Sequence, residues 1–138
     1  MDATSPSDAL AALRAESRSG VLDDLCERHG LSLLIAFGSA VTNAMRDGAK
    51  DLDIAVHSDD AIDVIGLLAD LTDLTGLDAI DLLDLRRAGP VVAVEALHNG
   101  EVLVERRPHL ADRLLMRATL EKLDTQWLRD WALELMAS

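Results

Sequence analysis

The side chains best suited to chemistry in this 138-residue chain are Asp51 and Asp53, which follow a Gly38-Ser39 pair after a gap of eleven residues. Residues two apart on a strand project from the same face, so an extended segment here directs two carboxylates together. Like charges held that close are unfavourable until a cation neutralises them. Glycine lets a backbone approach a phosphate with no Cβ in the way, and Ser39, placed before a helix, offers a hydroxyl and aims N–H groups at an anion. The combination predicts a divalent metal carrying a nucleotide, held between Gly38-Ser39 and the hard oxygen ligands that Mg²⁺ prefers. A third carboxylate, Asp81, lies on a later apolar segment and would complete a two-metal site or act as base. Asp84 would exchange with it if that strand slipped. The competing reading makes these aspartates solvated strand ends, as Asp70, Asp73 and Asp78 are taken to be.

Positioning such groups requires strands alternating with helices. Ser7-Asp8 reads as a helix cap, and Leu10, Leu13, Ser17, Val21 and Leu25 recur at helical spacing to His29-Gly30, with a break or kink at Gly20. Residues 31–37 form an apolar strand between glycines. Ser39 caps a short helix over 40–45, and Asp47-Gly48 turns the chain. Residues 52–57 are a second strand. A helix runs from Asp59-Asp60 through Leu74 with Ile62, Ile65, Leu68 and Leu71 inward, and Gly76 ends it. A third strand, 79–85, carries Asp81 and Asp84. Pro90 opens a helix over 91–97 that stops at Asn99-Gly100. Residues 101–105 are a fourth strand on an edge, and Pro108 begins a long helix to about Leu135. Short connections between alternating strands and helices predict one α/β domain over 1–138, with 1–7 flexible and 108–138 as a C-terminal helix.

Composition narrows the function. A net charge of −12 repels nucleic-acid backbones, which disfavours direct nucleic-acid binding, while 49% hydrophobic residues suffice for a core. No apolar run is long enough for a membrane span, so no membrane role is expected. The single cysteine, Cys26, excludes an internal disulfide and agrees with a cytoplasmic location; a half-buried helical residue is a better reading than a nucleophile. There is no tyrosine, so a tyrosine-modifying activity could not act on this chain itself. His29, His57, His98 and His109 lack metal-ligand spacing. Arg86, Arg87, Arg106, Arg107, Arg113 and Arg117 gather positive charge in the later third, suited to triphosphate, an acidic partner or local salt bridges. Trp127 and Trp131, beside Leu120, Leu123 and Leu135, form an apolar stripe that reads as core or as a partner anchor.

The order of strand, Gly38-Ser39, short helix, Asp51-x-Asp53 strand, helix and Asp81 strand resembles the minimal nucleotidyltransferase family. The resemblance covers roughly residues 20–107 and includes Ala88-Gly89-Pro90 and Asn99-Gly100-Glu101-Val102-Leu103, similar to the family's closing helix and strand. Size and layout are most similar to members encoded as antitoxins beside a HEPN-domain toxin. The resemblance implies a polymerase beta-like α/β fold, with a mixed sheet of about four strands flanked by helices. It implies Mg²⁺-dependent transfer of AMP from ATP to a hydroxyl, expected to be a tyrosine of a cognate HEPN ribonuclease toxin, which this silences within a hetero-oligomer. Gly38 and Ser39 would hold the triphosphate, Asp51, Asp53 and Asp81 would ligate two Mg²⁺ ions, and Asp81 would help deprotonate the acceptor. Ala40, Val41, Thr42 and Asn43 stand where the family often has arginine and glycine, and Lys50 where serine commonly precedes the first aspartate; Arg46 or Lys50 would restore the positive charge. These departures motivate an alternative, an antitoxin acting by direct binding with a weakened site. A small-molecule, antibiotic-type nucleotidyltransferase is a third reading, disfavoured because the chain has no second domain to shape an acceptor pocket.

Overall fold

The computed structural model describes residues 4–42 and 51–137. Helix α1 spans Pro6–Ser19: the Ser5 hydroxyl accepts from the Asp8 N–H, the Asp8 carboxylate accepts from the Ser5 N–H, and Pro6 fills the first turn. The helix thus starts earlier than the Ser7-Asp8 reading, and residues 5–7 belong to it rather than to a flexible leader. Gly20, with φ 90°, separates α1 from α2 (Val21–Arg28), so the expected break yields two helices. Strand β1 is Leu33–Phe37, α3 is Ser39–Thr42 and β2 is Leu52–His57. The remainder of the helix read over 40–45, and the Asp47-Gly48 turn, lie outside the described residues.

Helix α4, Val64–Thr75, is capped by Asp63, whose carboxylate accepts from the Gly66 N–H at 3.1 Å. It therefore starts later than the Asp59-Asp60 reading, and its buried face is Leu67, Leu71 and Thr75. Ile65, expected inward, is 83% exposed, because the true start at Asp63 sets which face meets the sheet. Strand β3 (Ile80–Asp84), α5 (Pro90–Asn99), β4 (Glu101–Glu105) and α6 (Leu110–Ala137) complete the chain.

The sheet order is β3-β2-β1-β4, which leaves β4 on an edge as expected. β1 is antiparallel to β2 and β4, while β2 and β3 run parallel across the α4 crossover, giving a mixed sheet of four strands. Leu34, Ala36, Leu52, Ile54 and Val56 face a core layer with α1, α2 and α4; Leu33, Ile35, Phe37 and Ala55 face a second layer with α5 and α6. Burial on both faces explains why β1 reads as an unbroken apolar run. By the same alternation Asp53, His57 and Asp81 belong to the α5/α6 face.

Polar ties fasten the layers. His29 Nε2 lies 2.6 Å from Asp70 Oδ2, joining α2 to α4 and, with Arg28 adding attraction, holding the Asp70 carboxyl below its usual range. Asp70 is thus a structural partner rather than a merely solvated residue. Cys26 is buried, and burial pushes its thiol up to about 12, which removes it as a nucleophile. Arg14 grips the edge strand with a bidentate fork, Nε to Glu101 Oε2 at 2.8 Å and Nη2 to Oε1 at 2.6 Å. That hydrogen bond holds the Glu101 carboxyl below its ordinary range, against the opposing effect of burial. A depressed folded pKa contributes stability above the unfolded value and loses it as pH falls through the folded one. Glu101→Gln is therefore expected to lower stability near neutrality by about 0.5–1 kcal/mol. The difference from wild type should vanish below the acidic range of Glu101, as urea midpoints measured between pH 3 and 7 would show.

Candidate functional site

The end of β1 creates the site. Phe37 is paired with Asp53 on β2, and the chain then leaves the sheet through Gly38 at φ 79°. The Gly38 carbonyl accepts from the Val41 and Thr42 N–H groups at 3.1 Å and from the Thr42 hydroxyl at 3.2 Å, which folds α3 back at once. A Cβ on Gly38 would fall inside the Asp53 carboxylate. Glycine is thus demanded here both by the backbone angle and by an acidic group pressed against it. Ser39, next in line, is exposed, and its hydroxyl has no hydrogen bond among the described residues.

On the other side of Asp53 the parallel ladder places Asp81 directly opposite, and Asp84 opposite Val56. The register therefore selects Asp81 over Asp84 as the carboxylate next to Asp53. Asp51 lies at the mouth of β2 and is exposed, Asp53 is half-buried and Asp81 is exposed. Burial raises the Asp53 carboxyl above its usual range, and the charges of Asp81 and then Asp51 raise it further. All three predicted aspartates therefore share one electrostatic site beside the Gly38-Ser39 turn. They do not form a closed cage: among the described residues no group of three or more His, Cys, Asp or Glu side chains is arranged to hold a metal ion. The donor chemistry nonetheless fits a hard divalent cation, since the carboxylates of Asp51 and Asp81 act on Asp53 and a bound cation would relieve their repulsion.

Of the other sequence candidates, Arg46 and Lys50 lie outside the described residues. His57 ends β2 four residues beyond Asp53; its Nδ1 lies 3.0 Å from the Ser32 hydroxyl and burial lowers its pKa. It belongs to a separate cavity at the far end of the strand. Trp127 and Trp131 are not core: they are 64% and 51% exposed and stack on each other with ring centroids 6.2 Å apart. They lie on the stretch of α6 beyond Ala118, its last buried residue, where every described side chain except the half-buried Lys122 is exposed. No described helix is long and apolar enough to cross a membrane.

Residues 22–109 match the family described as Polymerase beta, Nucleotidyltransferase, well over half of the chain. The chain belongs to this nucleotidyltransferase family. Among solved structures, a chain of a toxin–antitoxin complex with AMP-PNP superposes with a TM-score of 0.67 at 22% identity, over 85% of this chain and 96% of that one. A chain from the complex of tri-AMPylated Shewanella oneidensis HEPN toxin with its MNT antitoxin gives 0.65 at 21% identity, over 91% and 99%. One from an MntA–HepT toxin–antitoxin complex gives 0.63 at 21%, over 88% and 97%. At these identities the likeness is one of fold, and it extends over nearly the whole of those chains. No curated protein matches the sequence.

Proposed function

We propose that the chain is a nucleotidyltransferase antitoxin that transfers AMP from ATP to a tyrosine hydroxyl of a cognate HEPN-type ribonuclease toxin in the cytoplasm, and thereby silences it. The carrying observation is Asp53, wedged between Gly38 and Asp81 with its carboxyl raised by burial and by two neighbouring charges. Such stored repulsion is what a cation-dependent phosphoryl site holds before its substrate arrives. Bound at Asp51, Asp53 and Asp81, Mg²⁺, expected as two ions, would supply charge neutralisation for the triphosphate and the leaving group.

The chain's own residues do the rest. Gly38 leaves room for the Asp53 carboxylate to press against the turn, and the exposed Ser39 hydroxyl donates to a phosphate oxygen. The acceptor oxygen bonds to the α-phosphorus, the bond from that phosphorus to the bridging oxygen breaks, and pyrophosphate leaves. Asp81, exposed at the rim, takes the hydroxyl proton; a tyrosine pKa of about 10 makes such help necessary near neutrality. Catalysis of this kind asks mainly for positioning and charge compensation. The toxin–antitoxin complexes that share the fold, one with AMP-PNP and one with AMPylated toxin, support the reading. Incubation with the cognate helical toxin, ATP and Mg²⁺ is expected to add AMP to the toxin, read by intact mass. A toxin neutralised with no gain in mass would favour the alternative, an antitoxin that acts by binding alone.

That alternative draws on α6. Met116, Leu120, Leu123, Trp127 and Trp131 follow helical spacing and are all exposed. Asp124, Asp130 and Glu134 flank this stripe, while Lys122 and Arg129 lie on the opposite side of the helix. A second copy would set acid against acid. A partner with an apolar groove and a basic rim fits, and a ribonuclease needs basic surface for its own substrate. In either reading we assign this stripe to toxin docking. Trp127→Ala/Trp131→Ala is expected to weaken the complex by about 30-fold or more, the loss of a two-kcal/mol hot spot. Thermal unfolding should stay unchanged, since neither ring is in the core; titration calorimetry and a circular-dichroism melt give both readings.

A further inference from the structure

On the same sheet face as the aspartates, but at the far end of β2, the ends of β2 and β3 meet α5 and α6 around a cavity of about 280 Å³ lined by His57, Arg86, Arg117 and Glu121. A second chamber of about 200 Å³ shares His57, Leu114 and Arg117 with it and adds Asp59, Arg107 and Arg113. Four residues separate Asp53 from His57, so this cavity lies about 13 Å along the strand from the transfer site.

Its charge is out of keeping with the chain, which carries 25 acidic residues against 13 lysines and arginines. Arg107 is paired with Asp59 at 3.0 Å. The Arg86 guanidinium donates to the Asp59 carbonyl at 2.8 Å while its backbone N–H donates to Asp84 Oδ1 at 3.0 Å, and the Arg113 guanidinium donates to the Pro108 carbonyl at 3.4 Å; neither carbonyl cancels a charge. The Arg117 side chain makes no hydrogen bond or ion pair among the described residues. Asp84 acts on His57 from the β3 side and Glu121 stands at the wall, so four arginines face three carboxylates, and only Arg107 of the four is held in an ion pair among the described residues. Guanidinium forks match the oxygens of a phosphate, and among the described residues Arg86, Arg113 and Arg117 hold no ion-paired carboxylate that a phosphate would have to displace. The inner wall is apolar, with Leu85, Ala93, Leu97 and Leu114. Cationic mouth and apolar wall together suit a nucleoside monophosphate.

We infer that this cavity is a second nucleotide subsite, which takes the phosphate of an AMP group either free in solution or already carried by the acceptor. The acceptor-borne source rests on the proposed AMP transfer; the binding itself does not. Calorimetry of AMP against the full chain in EDTA, where the aspartate site repels nucleotide, tests it directly. AMP should bind, adenosine at least tenfold more weakly, and Arg86→Gln/Arg117→Gln should weaken AMP at least tenfold with its melting curve unchanged. Absence of AMP binding, or equal binding by the variant, overturns the inference. Intact-mass time courses on the toxin separate the sources. Loss of later additions with the first intact identifies acceptor-borne AMP, and an unchanged product distribution with weakened AMP binding identifies the free nucleotide. If wild type transfers no AMP at all, the function proposed above fails while the binding arm still decides the cavity.

Discussion

Asp53→Asn is expected to abolish AMP transfer and, in the same molecule, to raise the melting temperature of the metal-free protein. The two effects have one cause. Burial and the charges of Asp81 and Asp51 make the ionised Asp53 side chain unfavourable in the folded state, which raises its pKa. An acid with a raised folded pKa costs no stability while protonated, and the cost appears as pH climbs from the ordinary carboxylate range through the raised value. The cost therefore grows as the pH moves from acid toward neutrality. Asparagine has nearly the same shape and no charge, so the variant should melt higher near pH 7 and match wild type in acid. Transfer should fall by at least about 100-fold, since even indirect supports of a metal site are worth 10–100-fold. Mg²⁺ should raise the melting temperature of wild type but not of the variant. A variant that melts lower than wild type at pH 7 in EDTA would contradict the electrostatic account of this site.

Gly38→Ala probes the same geometry from the other strand. A side chain at φ 79° costs roughly 1–2 kcal/mol, and the new methyl would occupy the space of the Asp53 carboxylate. The carboxylate cannot yield toward β3 without approaching Asp81, its ladder partner. We expect destabilisation of roughly 2–4 kcal/mol, combining backbone strain with overpacking, and transfer reduced by about 100-fold or more because the acid is pushed off its position. The double variant Gly38→Ala/Asp53→Ala separates the two terms: removing the carboxylate should restore the steric part and leave only the backbone part. Ser39→Ala, by contrast, should leave stability nearly untouched, because that hydroxyl is exposed and makes no hydrogen bond among the described residues.

Much of this site could be read before any coordinates, for a local reason. Gly-Ser at a strand end and Asp-x-Asp at a strand start are short-range patterns that mark Asp51 and Asp53 as neighbours; β2 itself begins at Leu52, so the period of two governs Asp53, and Asp51 joins it through its charge. The alternation of apolar runs with helical periods likewise gave the α/β class and the edge position of β4. Helix starts were less legible. Ser5 and Asp63, not Ser7 and Asp59, provide the caps, because several Asp and Ser side chains compete within a few residues and only the packed helix decides which N–H groups need them. Once α4 began at Asp63, the side chains that met the sheet were Leu67 and Leu71, and Ile65 was left in solvent.

What the amino-acid sequence determined by itself was the list of chemical groups and their order along the strands and turns. What the tertiary structure decided was adjacency. The parallel register of β2 and β3 chose Asp81 over Asp84, an alternative that local pattern left open because strand register is set by nonlocal pairing. The close fit of Gly38 to Asp53 depends on the antiparallel β1–β2 pair, and so does the raised carboxyl. Trp127 and Trp131 have the spacing of core residues, yet the length of α6 carries them past the sheet, and only the fold shows that none of the described residues covers them. The arginines of the later third, dispersed along the chain, become a cavity because the ends of β2 and β3 and the face of α6 meet there. Local pattern encodes which groups exist and which way each points; the distances between segments arise only when packing closes them.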